Sequence, residues 1–232
     1  MEGLKLTFHL AGINNQNFLM RDEETGTFWQ QISGAAVSGP LKGKKLVLVH
    51  SDELTLQLWK TEQPAGTVVK DAALYTAEYA RKDWDVQMAK APTVIRYAQA
   101  GMTQRTIVMG IRAFGTSRAY PYDLLLAEKL VKDRLGGVPI VIVVGPDGQS
   151  VRAFRAAVPG SSAEPDFYRM SDSGAMMMDD ATGSRWNFQG CAVEGKALGA
   201  CLTRVDIIKD YWFDWRHYNA DTSVFARGQP PH

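Results

Sequence analysis

Arg118, Tyr120, Asp133, Arg152 and Arg185 are the polar residues nearest the recognisable motifs of this chain, and with Glu128 they are the first candidates for a ligand cleft. Guanidinium groups take carboxylates and phosphates in a fork of hydrogen bonds, and a phenol or carboxylate beside them can orient a ligand or move a proton. Arg118 and Asp133 would serve equally well as an ordinary ion pair beside a helix. Trp29 and Trp186 occupy matching places just beyond a hairpin turn, where paired indoles could form a platform for a sugar or planar ligand. Packing the core is the commoner use of such residues and the favoured one. Asp22 and Asp179 could be drawn together as an acid–base pair, but each also has a local job in its own turn, which is favoured.

Other chemistries find little support. His9, His50, His217 and His232 show no HxxxH or HxH spacing, so no metal set is expected from them. Met176, Met177 and Met178 on a strand would point to alternate faces and could not converge on one ion. Ser150 lacks a GxSxG elbow, and the glycines around Gly39 and Gly43 do not match a phosphate-cradling GxxxxGK[ST] loop. No catalytic residue is assigned and no cofactor is expected. Cys191 and Cys201, ten residues apart, do not have zinc-ligand spacing; free thiols are expected, with a local disulfide across a hairpin as the alternative.

The elements that must position these residues show an internal repeat. Asp22-Glu23-Glu24-Thr25-Gly26-Thr27-Phe28-Trp29 returns as Asp179-Asp180-Ala181-Thr182-Gly183-Ser184-Arg185-Trp186, and Gly34-Ala35-Ala36-Val37-Ser38-Gly39 as Gly190-Cys191-Ala192-Val193-Glu194-Gly195. Gly43, Leu46 and Trp59 fall in register with Gly199, Leu202 and Trp215. A pattern shared over roughly fifty positions with one gap predicts a duplicated structural unit.

In chain order, the alternation over 4–10 predicts a strand, 14–17 a turn, 18–20 a second strand, 22–26 a tight Asp/Gly connection and 27–30 a returning strand. After a turn at 39–43, residues 45–50 read as a strand. Ser51 reads as the N-cap of a short helix carrying Leu54, Leu58 and Trp59, and 67–69 as a closing strand. The second copy follows the same plan, with the more aromatic Tyr211–Trp215 in the helical place. Residues 70–104 read as a wrapping linker, too aromatic for a solvated chain. Residues 105–157 read as β-β-α-β-β: strands at 107–111 and 117–120, and a helix opened by Pro121 whose Leu124, Ala127, Val131 and Leu135 recur at helical spacing. Gly136-Gly137 would end that helix, before a buried strand at 140–144 and a last one at 150–154. The expected fold is α+β and β-rich, with hairpin units at about 4–69 and 167–225 around the central segment. The expected divisions are 1–69, 70–104, 105–157 and 158–232, forming one compact domain or two closely packed halves.

Composition sets the class. The chain has 232 residues, 45% hydrophobic and 22% charged, with a net charge of +1, the profile of an ordinary globular protein. No basic surface points to nucleic acid, and no apolar run nears the ~20 residues of a membrane span. Met1-Glu2-Gly3-Leu4 has neither the basic nor the apolar region of a signal peptide, which predicts a cytoplasmic protein as written, periplasmic or extracellular if a signal has been trimmed.

Asp22…Thr25-Gly26-Thr27-Phe28-Trp29, Gly39-Pro40-Leu41-Lys42-Gly43-Lys44-Lys45-Leu46, Arg118-Ala119-Tyr120-Pro121, Gly136-Gly137-Val138-Pro139 and Tyr211-Trp212-Phe213-Asp214-Trp215 together resemble the DUF3179 family, bacterial and archaeal proteins of unknown function, many of them exported. The resemblance spans nearly the whole chain. It implies two tandem units, each an Ala-Tyr-Pro segment followed by a Thr-Gly-Ser-x-Trp segment, the second complete over about 105–225 and the first present only as its latter half. It also implies that the absent half of the first unit is the piece that carries a Cys-Pro-Leu-Cys motif and a His-Glu pair, the likeliest place for any redox or metal centre, while the corresponding places in the second unit hold Gly145-Pro146-Asp147-Gly148 and Ala127-Glu128. The expectation is therefore a soluble, non-catalytic binding or structural module with a cleft between two repeats. The alternative is an enzyme, or a fragment of one whose redox or metal segment lies upstream. A small-molecule or protein ligand is left open, and exposed sheet edges leave room for oligomers.

Overall fold

A computed structural model describes residues 3–14, 17–79, 81–170 and 174–228. The protein is β-rich, with four four-stranded sheets and four α-helices among the described residues. None of these helices is long and apolar enough to cross a membrane. His232 and the middle of the expected 14–17 turn, Asn15 and Gln16, lie outside the described residues.

Strands β1 (Phe8–Asn14), β2 (Asn17–Asp22), β3 (Phe28–Gln30) and β4 (Ala36–Ser38) form an antiparallel meander in that order. The first strand begins at Phe8 and not at Leu4, because the backbone before it serves the neighbouring turn. The Thr7 carbonyl accepts from Glu23 N (3.0 Å) and Thr7 N donates to Glu24 Oε2 (2.8 Å). The strand expected at 45–50 is absent: Lys45 makes only an isolated bridge with Ala35, and Val47, Leu48 and Val49 are exposed.

Helix α1 (Leu56–Glu62) starts four residues later than expected, capped by Thr55 Oγ1, which accepts from Leu58 N at 3.3 Å. Asp52 and Glu53 are not in its first turn; they are drawn into ion pairs with Arg152 and Lys209. No strand forms at 67–69, where Val68 and Val69 are exposed. A short 3₁₀ turn (Ala73–Tyr75) and helix α2 (Trp84–Lys90) follow, both exposed.

Strands β5 (Ile107–Ala113) and β6 (Thr116–Pro121) lead into helix α3 (Tyr122–Glu128). This helix is seven residues long, and the expected continuation to Leu135 is instead strand β7 (Leu130–Leu135), making the segment β-β-α-β-β-β. Lys129 adopts φ 63°, a left-handed cap that donates to the Leu125 carbonyl and turns the chain into the sheet. Val131 and Leu135 are four apart, a spacing that serves one face of a strand as well as one face of a helix, and Asp133 lies inward between them. Strands β8 (Val138–Val144) and β9 (Val151–Arg155) complete the segment.

A second meander has strands β10 (Phe167–Arg169), β11 (Met177–Asp179), β12 (Arg185–Trp186) and β13 (Ala192–Glu194). Strand β14 (Arg204–Val205) adds to β9, giving the order β14-β9-β8-β7. Strand β15 (Ile208–Tyr211), helix α4 (Trp212–Tyr218) and strand β16 (Ser223–Val224) follow; the last sheet has the order β15-β5-β6-β16, with β16 parallel to β6.

Cys191 and Cys201 form a disulfide, not the free thiols expected. They face each other in an isolated antiparallel bridge with Cα atoms 4.0 Å apart, so pairing needs no backbone movement. Ala35 and Lys45 make the same bridge in the first meander without a covalent bond. Substituting Cys191→Ala with Cys201→Lys should therefore leave the fold intact while costing about 2–3 kcal/mol, the loop-closure value for a link this short. Thermal melts with and without reductant check this, and the double variant should no longer respond to reductant.

The chain divides into two compact units. The first comprises Met1–Ser51, Pro92–Thr106 and Asp210–Asp221; it holds the β1–β4 meander and α4, whose Trp212, Phe213, Asp214 and Trp215 are buried. The second comprises the rest and has two cores on opposite faces of the β14-β9-β8-β7 sheet. Ile140, Ile142, Val144, Val151 and Ala153 pack with Met109, Ile111, Tyr120 and Leu125. Val141, Val143 and Phe154 pack with Phe167, Met177, Trp186, Phe188 and Leu58. Burial on both faces is why β8 is apolar throughout.

Candidate functional site

The candidate residues near β6 and β7 are engaged with one another inside the second unit. Arg118 Nη1 donates to both Asp133 oxygens (2.8 and 2.6 Å), Tyr120 donates to Asp133 Oδ2 (2.7 Å), and Arg118 Nε donates to Ser223 Oγ (2.9 Å). Asp133 Oδ1 also accepts from Arg134 N. Burial, then the adjoining Asp133 carboxylate, pushes the Tyr120 phenol far above its ordinary range. All three side chains are buried, and the group ties β6 to β7.

Trp29 and Trp186 are 0% exposed, which removes them as a binding platform. Each indole donates to the carboxylate of its own turn: Trp29 Nε1 to Asp22 Oδ2 at 2.7 Å, Trp186 Nε1 to Asp179 Oδ2 at 2.9 Å. The same carboxylates accept from the turn amides of Thr25 and Thr182, both at 2.6 Å. Burial works against the charge on Asp22, but the bonds from Trp29, Thr25 and Thr27 outweigh it and hold its pKa below the ordinary value. Gly39 and Gly195 close the two turns, and a Cβ on either would lie 2.7 or 2.5 Å from the Cα of Thr27 or Ser184. Arg185 is apart from these groups, on the sheet surface 3.2 Å from Glu194.

Arg152 is buried, and its partners Glu62 and Phe188 line a surface groove. Leaving the sheet face that carries Phe154, its guanidinium donates to Asp52 Oδ2 (3.1 and 2.6 Å) and in a fork to Glu62 (2.6 and 2.7 Å), and stacks 4.5 Å above the Phe188 ring. Burial opposes its charge, but the bonds to Glu62 and Asp52 more than compensate and raise its pKa. Arg204 also binds Asp52. Beside this cluster is a groove of about 340 Å³, lined by Leu58, Thr61 and Glu62 of α1, by Pro146 and Gly174, and by Met176, Asn187, Phe188 and Gln189 around β11 and β12. The groove therefore forms where the helix following the first meander meets the second. The neighbouring Gly145–Gly148 turn is fixed by Asp147, whose Oδ2 accepts from Ser150 Oγ (2.5 Å) and Thr55 Oγ1 (2.7 Å). Burial opposes the Asp147 charge, but these bonds prevail and lower its pKa.

A polar cluster in the first unit was not among the sequence candidates. Asp214 on α4 accepts from Asn17 Nδ2 (3.1 Å), and His217 Nδ1 is 2.8 Å from the Tyr97 hydroxyl. Burial, then the neighbouring Asp214, pushes the Asp210 carboxyl up to about 8. Burial also raises Asp214. Asn17 Oδ1, Asp210 Oδ2, Asp214 Oδ1 and Asn219 Oδ1 are buried without a hydrogen-bond partner among the described residues. The available signal was the i, i+4, i+7 spacing of Asp210, Asp214 and His217 in an otherwise aromatic stretch. No group of three or more His, Cys, Asp or Glu is placed to hold a metal ion among the described residues.

Neither a curated protein nor a solved structure matches this chain. A family model described as a protein of unknown function, DUF3179, matches residues 1–222, over which the Asp-Thr-Gly turns, the Ala-Tyr-Pro strand end and the aromatic α4 all lie. The chain belongs to the DUF3179 family.

Proposed function

We propose that this protein is a non-catalytic binding module built on a duplicated hairpin unit, with its ligand site in the groove between α1 and the β10–β13 meander. The duplication is supported by matching atomic detail: the Asp–Trp bonds, the Thr–Asp turn bonds, and the edge-on pairs Phe8–Trp29 and Phe167–Trp186 at 5.9 and 6.3 Å. The observation that carries the binding reading is the lining of the groove. An aromatic ring (Phe188), a thioether (Met176), two amides (Asn187, Gln189) and a carboxylate already committed to Arg152 (Glu62) can hold a neutral ligand with one apolar face and several hydroxyl or amide groups. The Cys191–Cys201 bond supports an oxidising compartment over the cytoplasm.

Ligand-observed NMR with a panel of neutral disaccharides and short uncharged peptides tests the proposal. At least one probe should bind and be recovered unchanged, and Thr61→Trp, which fills the groove from an exposed position, should weaken it by at least about tenfold without lowering the melting temperature. No binding by any probe, chemical turnover of a probe, or undiminished binding to Thr61→Trp would overturn it.

A further inference from the structure

The two meanders carry the same bridge with different chemistry at its ends. Ala35 faces Lys45 in the first, and Cys191 faces Cys201 in the second. The hydrogen bonds around the bridge match one for one. Ala36 N donates to the Lys44 carbonyl and Leu46 N to the Gly34 carbonyl, both at 2.9 Å; Ala192 N donates to Ala200 and Leu202 N to Gly190, both at 2.8 Å. Gly43 N and Gly199 N donate to the carbonyls of Ala36 and Ala192, both at 3.0 Å. In each meander the first bridge residue is half-buried and the second is exposed. The first meander is thus an internal control, in which this bridge forms without a covalent bond.

The flanking bonds run from residues on either side of the cysteine pair. Cys191 and Cys201 therefore occupy a non-hydrogen-bonded site of the ladder, where opposed side chains stand closest. Reduction would leave two thiols facing each other on an unchanged backbone, placed to re-form the bond. The cysteines are only 10 positions apart, so the fold loses little with the bond. Cys201 is exposed, which opens one end of the disulfide to an external thiolate.

We infer that Cys191–Cys201 is a reversible two-electron redox site whose partner is a dithiol. One thiolate of the partner attacks Cys201 Sγ, the S–S bond breaks, and Cys191 leaves as a thiolate, with a mixed disulfide now joining Cys201 to the partner. The partner's second thiolate then attacks the partner sulfur of that mixed disulfide, and Cys201 leaves as a thiolate. The partner ends as a disulfide, having given two electrons, and its two protons pass to Cys191 and Cys201. In an oxidising compartment the disulfide is the resting form. This inference does not depend on the ligand groove.

Dithiothreitol serves as the dithiol probe, with acid quenching and mass spectrometry to count free thiols. The folded full chain should be reduced within about tenfold of the rate found for the same chain in denaturing urea. A bond reached only through unfolding would react slower than that by roughly a thousandfold or more, the ratio of folded to unfolded protein. Circular dichroism should be the same in the reduced and oxidised protein, and glutathione disulfide should restore the bond completely once dithiothreitol is removed. Reduction that waits on unfolding, a spectrum lost on reduction, or thiols that do not pair again would overturn the inference.

Discussion

Asp133→Ala is expected to lower folding stability by about 3–5 kcal/mol, the range for removing one partner of a buried ion pair. Arg118 and Asp133 side chains are 9% and 3% exposed, so the substitution strands a guanidinium in the interior and leaves the Tyr120 hydroxyl without its acceptor. Ser223 Oγ remains beside Arg118 Nε, but one neutral hydroxyl cannot replace a carboxylate that accepts from Arg118 and Tyr120 together. The mechanism makes a sharper claim than the single variant does. Arg118→Met combined with Asp133→Leu should recover the part of the loss that comes from the stranded guanidinium, since an apolar pair has no charge to desolvate, while the Tyr120 hydroxyl still lacks its acceptor. Urea denaturation of Arg118→Met, Asp133→Leu and the double reads the coupling, and strictly additive losses would show that the pair is not the unit it is drawn to be.

The parts of this structure that were legible in the sequence are those whose bonds are local. Asp22 binds Thr25 three residues on and Trp29 seven residues on, and Asp179 repeats this with Thr182 and Trp186, so both turns could be read from short motifs. The overrun of α3 has an equally local cause. Val131 and Leu135 satisfy two periodicities at once, and the residue that breaks the helix, Lys129, is not a glycine. The groove was not legible, because Arg152 meets Asp52 across 100 positions and Glu62 across 90, and no spacing rule reaches that far. The Cys191–Cys201 bond followed from the hairpin, while the compartment argument pointed the other way. Asp210 and Asp214 were visible as letters, but their meaning depends on the solvent being excluded around them, which composition cannot supply.

That exclusion has a measurable consequence. The residue Asp210 is only partly covered, yet its Oδ2 is shut off from solvent, and burial together with Asp214 raises its pKa from 3.8 to about 8. Tyr211 N, which donates to Oδ1, favours the ionised form but does not reverse the shift. Asp214, itself raised by burial and eased by Asn17, His217 and Arg105, moves in the same direction. The sign follows from linkage: a carboxyl with a raised folded pKa stabilises the protein fully below its unfolded value of 3.8. That stability is then lost as pH rises through the interval up to about 8, because the unfolded chain releases the proton first. The melting temperature of the protein should therefore fall between mildly acidic and alkaline pH. Asp210→Asn has no proton to lose and should flatten this slope, gaining ~2–5 kcal/mol over the parent at alkaline pH while matching it in acid. Thermal melts across that pH range decide the matter, and parallel profiles for parent and variant would place the titration elsewhere.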